Sequence, residues 1–191
     1  PLKSVLKNFL PFIILIALVS LACQINAGGP TAPRTVAFSQ DAADSVEQLW
    51  ASIDAANLTD STATISLTEE QLTSYLAVNM AAKKEGDAAI INPTILLENG
   101  RMEIYGQINT SFPTANAHLS LTMTLDDEGQ PQLDVVSADL GPLPMPDGLM
   151  DAIASVMDEA LTGSFGSVAT GVRLSDIQIT DGVLTFNIQK R

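Results

Sequence analysis

Few side chains in this sequence are placed to do covalent chemistry. His118 is the only histidine and falls on the polar side of an alternating stretch, so it reads as a cross-strand residue rather than a triad member or part of a His-rich metal site. The run Asp126-Asp127-Glu128-Gly129 gathers three carboxylates without the alternating spacing of an EF-hand loop, and a solvated hairpin tip accounts for it. Carboxylates are plentiful, which leaves a divergent hydrolase or a hydrolase accessory as a third, weaker reading. One Trp and two Tyr are a poor supply of sugar-stacking platforms for it. There is no phosphate loop, no G-x-G-x-x-G and no G-x-S-x-G. The expectation is a protein without catalytic residues, cofactor or metal, and not an enzyme.

The single cysteine, Cys23, closes an apolar run that follows Lys3 and Lys7. Positive residues, a charge-free stretch from Phe9 to Ala22 and the small residues of "LVSLAC" have the order of a signal peptide. Cys23 resembles the acceptor of a bacterial lipoprotein lipobox, with Ser20 where that motif favours Leu. The alternatives are an uncleaved signal-anchor helix and ordinary secretion with an unused thiol; all three place the remaining chain outside the cytoplasm. The expected organisation is a signal over residues 1–22, a lipidated Cys23 with a flexible Gly/Pro/Thr-rich tether over 23–40, and one domain over 41–191. Without Lys3 and Lys7, seven basic residues face 22 acidic ones, a formal charge of −15. Such a surface repels nucleic acid and bare anionic lipid, so membrane attachment is expected through Cys23. With no second cysteine the domain has no internal disulfide and stands on its core.

Periodicity places the elements. Asp41 opens a helix whose Val46, Leu49, Trp50 and Ile53 fall at i, i+3, i+4 and i+7, with Trp50 as a core anchor. A strand over Ala63–Leu67 leads to Thr68, which has Gln71 three residues on for a capping box, Glu69 and Glu70 in the first turn, and Lys83 and Lys84 at the far end. The stripe of that helix is Leu72, Tyr75, Leu76 and Met80. From Ala89 the period becomes two. Asn99-Gly100 marks a hairpin, Ala117 to Leu125 alternate with polar residues, and Asp181-Gly182 marks a last hairpin. Between Val135 and Val136 the apolar phase changes, which predicts a bulge or a strand buried on both faces. Asn57-Leu58-Thr59 and Asn109-Thr110-Ser111 match the glycosylation pattern by chance.

"LGPLPMPDGLMDAIASVMDEAL" (140–161) sets three prolines before a helical stripe. The prolines can continue neither ladder nor helix, so they form a stiff corner, with Asp147 as the expected N-cap and Leu149, Ile153, Val156, Met157, Ala160 and Leu161 as the buried face. The element order is helix, strand, helix, four strands, helix, two strands. It predicts an α+β fold, a curved antiparallel sheet of about five to seven strands wrapped on two or three amphipathic helices.

"ISLTEEQLTSYL", "NGRMEIYGQI", "LGPLPMPDGLMDAI" and "VRLSDIQITDGVLTF" resemble the YpmS-like family of membrane-anchored bacterial proteins and, more loosely, the TULIP-like (tubular lipid-binding) superfamily, over Thr64 to Ile188. The resemblance implies a half-barrel sheet around a long helix with room for acyl chains. Its inward lining would be Leu119, Leu121, Met123 and Leu125 on the sheet, Leu149, Ile153 and Met157 on the helix, and Leu184, Phe186 and Ile188 closing the site. These are also the residues that alternation assigns to the core. The expectation is a lipid-anchored protein on the extracytoplasmic face of a bacterial membrane, whose domain binds a lipid or other apolar ligand without catalysis. The alternative is a structural or adaptor domain with a filled core that binds another envelope protein.

Overall fold

The computed structural model describes residues 28–52, 62–82, 90–109, 114–142, 144–162 and 172–190. Cys23, Ile53, the Asn57 motif, Lys83, Lys84, Thr110-Ser111 and Leu143 lie outside them. No helix among the described residues is long and apolar enough to cross a membrane.

Among the described residues ten elements follow in the anticipated order: α1 (Gln40–Ser52), β1 (Ala63–Thr68), α2 (Glu69–Ala81), β2 (Ile90–Glu98), β3 (Arg101–Asn109), β4 (Thr114–Leu125), β5 (Pro131–Asp139), α3 (Leu149–Thr162), β6 (Val172–Thr180) and β7 (Val183–Lys190). The class is α+β and every strand pair is antiparallel. The expected single sheet of five to seven strands is corrected. Among the described residues the strands divide into a four-stranded sheet, β2-β3-β4-β5, and a three-stranded one, β1-β7-β6. The division arises because β1 finds its partner at the other end of the chain, with Ala63 opposite Ile188 and Thr68 opposite Val183. Local alternation carries no record of such a pairing.

The local signals fold as their chemistry dictates, with shifts at the ends. The Thr68 hydroxyl accepts from the Gln71 backbone N–H while the Gln71 side chain accepts from the Thr68 N–H, the complete capping box of α2. Helix α1 is capped by Ser39, not opened by Asp41: the Ala42 N–H donates to Ser39 Oγ at 3.0 Å. Asp41 instead occupies the first turn, where the helix dipole favours it. For α3 the Ala152 N–H donates to the Gly148 carbonyl, so Gly148 holds the N-cap position assigned to Asp147. Asn99 and Gly100 both take positive φ, 55° and 74°, as the two-residue hairpin turn requires. At the last hairpin only Gly182 does so.

The phase change in β5 is a bulge. Ser120 pairs with Ser137 and Leu121 with Val135, leaving Val136 as the extra residue. Burial on both faces does not occur, since Val135 is 47% and Val136 45% exposed.

The inner faces of both sheets and the stripes of all three helices join one buried cluster. All six residues expected on the inner face of α3 are in it. Trp50 ties the layers together: its indole N–H donates to the Ala160 carbonyl at 2.9 Å, and its ring stacks on Phe186 with centroids 5.8 Å apart.

Candidate functional site

Of the ten residues expected to line an interior site, eight belong to that cluster and two pack against it. Leu119, Leu121, Leu149, Ile153, Met157, Leu184 and Ile188 have no accessible surface, and Phe186 has 1%. Met123 and Leu125 are partly buried against the same cluster. In this conformation these residues pack against each other as a core. An acyl chain would reach them only if helix and sheet separated.

Open apolar space lies instead at the edge of the four-stranded sheet. An edge strand exposes a row of N–H and C=O groups, and α2 runs alongside the edge of β2. Two of its side chains close that edge: Glu69 Oε1 accepts from the Leu97 N–H at 2.7 Å, and Thr73 Oγ1 accepts from the Ile95 N–H at 2.9 Å. The repeats match, because four residues of helix rise about 6 Å and two residues of strand about 6.6 Å. One step further the helix offers Ala77, which has no acceptor, and the strand offers Pro93, which has no donor. The two elements part at this point. Asn92 takes φ 49°, and the register of β2 against β3 shifts between Ile91 and Thr94.

The gap is a cleft of about 650 Å³, bordered by Val36 and Phe38 on one side, Ala77 and Val78 on α2, and Ile90 and Ile91 on β2. Ala77 and Ala81 on α2 leave room along it, beside the larger Val78 and Met80. Phe38, 60% exposed, and Ile91, 38% exposed, are two of the four large hydrophobic residues left exposed among the described residues. Across the sheet Gly106 sets the position of Ile90, since a Cβ there would lie 2.5 Å from Ile90 Cγ1.

A strap formed by residues 34–39 completes the site. Arg34 grips Glu69 with both terminal guanidinium nitrogens, at 2.6 and 2.7 Å, and reaches Glu98 at 3.3 Å. Five residues on, the Ser39 N–H donates to Ser74 Oγ. Burial alone would push the Glu69 carboxyl up. The Arg34 guanidinium and the Leu97 N–H outweigh it and hold that carboxyl below its ordinary value. The same pairing raises Arg34. Contacts with the domain begin earlier still, where the Asn116 N–H donates to the Gly28 carbonyl. The described part of the expected tether, residues 28–40, therefore lies against the domain, and four of its residues, Thr35, Val36, Phe38 and Gln40, border the cleft.

Other carboxylates have structural partners. Glu103 accepts from Ser120 at 2.8 Å and bonds His118 Nε2 at 2.7 Å, while the His118 ring stacks on Tyr105 at 4.4 Å. Burial first, then Glu103 and Glu98, raise the Tyr105 phenol. Asp126 accepts from the N–H groups of Glu128 and Gln130 and so shapes its own turn. Asp139 does the same for Gly141.

Neither Glu69 nor Phe38 was picked out from the sequence as a site residue. Glu69 looked like a first-turn acid serving the helix dipole, and Phe38 like one apolar residue in a linker. The available signal was Arg34, an isolated cation in an otherwise uncharged stretch. Comparison with protein-family models, with curated proteins and with solved structures returns no match.

Proposed function

We propose that this protein is a non-catalytic, extracytoplasmic lipoprotein, anchored to a bacterial membrane through Cys23, whose domain holds an apolar ligand in the cleft between the strap, α2 and β2. The observation that carries the reading is the cleft: its volume of about 650 Å³ falls within the ~300–1,000 Å³ of small-molecule sites. Its floor favours hydrocarbon. The N–H of Ile95 is already taken by Thr73, Pro93 has none, and the bordering side chains are mostly alkyl or aromatic. Binding would be burial, at about 0.8 kcal/mol per methylene removed from water, with no covalent step.

The resemblance to the YpmS-like and TULIP-like groups enters as part of this proposal. Two sheets whose inner faces meet three helices in one core are compatible with a half-barrel opened along one side. The ligand site sits at the β2 edge rather than on the ten interior residues.

The test is photolabelling of the full chain in nanodiscs with a palmitic acid analogue carrying a diazirine near the end of its alkyl chain. Labelled peptides are expected from residues 73–81 and 90–94, with labelling lost in Ala77→Trp, which fills the cleft. Labelling spread over the chain without a maximum there, or unchanged in Ala77→Trp, would sink the reading.

A further inference from the structure

The two edges of the four-stranded sheet are treated differently. The β2 edge is closed by α2 and the Gly182 turn, which donates its N–H to the Leu97 carbonyl at 2.8 Å. Among the described residues β5 has one strand neighbour, β4, and every residue from Asp134 to Asp139 is exposed. The β4 pairing sets which of its groups point outward. Ladder bonds alternate along an antiparallel pair, and the Asp126 N–H, which bonds the Gln130 carbonyl, fixes the even residues of β4 as those facing β5. Leu133, Val135 and Ala138 lie opposite Met123, Leu121 and Leu119, so their N–H and C=O groups turn away from the ladder. Val135 and Val136, the other two exposed large hydrophobic residues, lie in the middle of this edge.

Its charge is one-sided. From Thr114 to Asp139 the hairpin carries Asp126, Asp127, Glu128, Asp134 and Asp139 with no Lys or Arg. Pairing two copies edge to edge would bring Asp134 and Asp139 of one chain near those of the other, and like charges across strands destabilise. An incoming strand of opposite charge meets no such penalty.

We propose that the open edge of β5 docks an extended segment of a partner protein, added as a fifth strand, with Lys or Arg interspersed among apolar residues. Backbone pairing to Leu133, Val135 and Ala138 supplies the attachment, and the valines supply apolar contact. The acidic residues disfavour acidic strands. The bulge at Val136 breaks the regular ladder, so the edge is a poor template for indiscriminate pairing. This inference is independent of the apolar cleft.

The test is hydrogen exchange by mass spectrometry on the full chain in nanodiscs, with a synthetic nonapeptide of alternating Val and Lys as probe and one of alternating Val and Glu as control. The Val/Lys peptide is expected to slow exchange across residues 131–139 by at least about tenfold, and the control to leave it unchanged. Val135→Pro removes an outward N–H and no ladder bond, and should abolish the slowing at Leu133 and Ala138. Asp134→Lys, an exposed change, should weaken the Val/Lys peptide and admit the Val/Glu one. Unchanged exchange at millimolar peptide would overturn the proposal. Equal slowing in Val135→Pro and Asp134→Lys would do the same, as would slowing with protein concentration alone.

Discussion

Glu69 Oε1 lies 2.7 Å from the Leu97 backbone nitrogen while both oxygens of the same carboxylate hold the Arg34 guanidinium. One side chain thus closes a sheet edge and fastens the strap beside the cleft. Glu69→Ala leaves the Leu97 N–H without its acceptor and should cost about 2 kcal/mol. Glu69→Gln keeps an acceptor and should recover part of that loss. Urea denaturation of the three proteins checks both.

The pH dependence has a definite sign. The folded-state pKa of Glu69 is held below its ordinary 4.5, so its stabilisation is fully present above that value and is lost as pH falls through the folded pKa. Unfolding midpoints measured from pH 7 down to pH 2 should therefore fall more steeply for the native chain than for Glu69→Gln. Parallel curves would contradict this.

Thr73 offers a cleaner test of edge closure. Thr73→Val keeps shape and removes the acceptor for Ile95, and should cost about 1–2 kcal/mol. Thr73→Ser keeps the acceptor and should stay closer to the native chain. Amide exchange at Ile95 should quicken in the valine variant and much less in the serine one.

Gly106→Ala sets a Cβ 2.5 Å from Ile90 Cγ1 and 3.0 Å from the Ile91 carbonyl. A branched side chain and a backbone oxygen must both move, at a cost of about 1–3 kcal/mol. Because Ile90 and Ile91 border the cleft, the diazirine label should decrease along with thermal stability.

Trp50 can report on the core because it is the only tryptophan. Trp50→Phe removes the bond to Ala160 and should cost about 1 kcal/mol. Trp50→Ala also empties the space against Phe186 and should cost about 3–5 kcal/mol. Intrinsic fluorescence follows the native chain, and circular dichroism follows the variants.

Much of the fold was legible because its signals are local. The Thr68–Gln71 box, the Asn99-Gly100 turn, the six apolar residues of α3 and the phase change at Val135-Val136 each depend on residues a few positions apart. The division into two sheets was not legible, since nothing in "ATISLT" names Val183 to Ile188 as its partner. Eight of the ten interior residues are buried and two, Met123 and Leu125, partly so, yet alternation cannot distinguish a packed wall from a lined cavity. The cleft depends on what is missing, an acceptor at Ala77 and a donor at Pro93. Absences of that kind acquire meaning only when the two elements lie side by side.

The closure of β2 by α2 also bears on how the chain folds. Glu69 and Thr73 precede Leu97 and Ile95, so as the chain emerges from its N-terminus the helix that will cover the edge is complete before the strand is made. The β2 edge need never stand open while the domain assembles, which lowers the risk of pairing with a neighbouring chain. β5 has no such forerunner. No strand among the described residues covers its edge, and the charges of Asp134 and Asp139 are its early protection against misassembly.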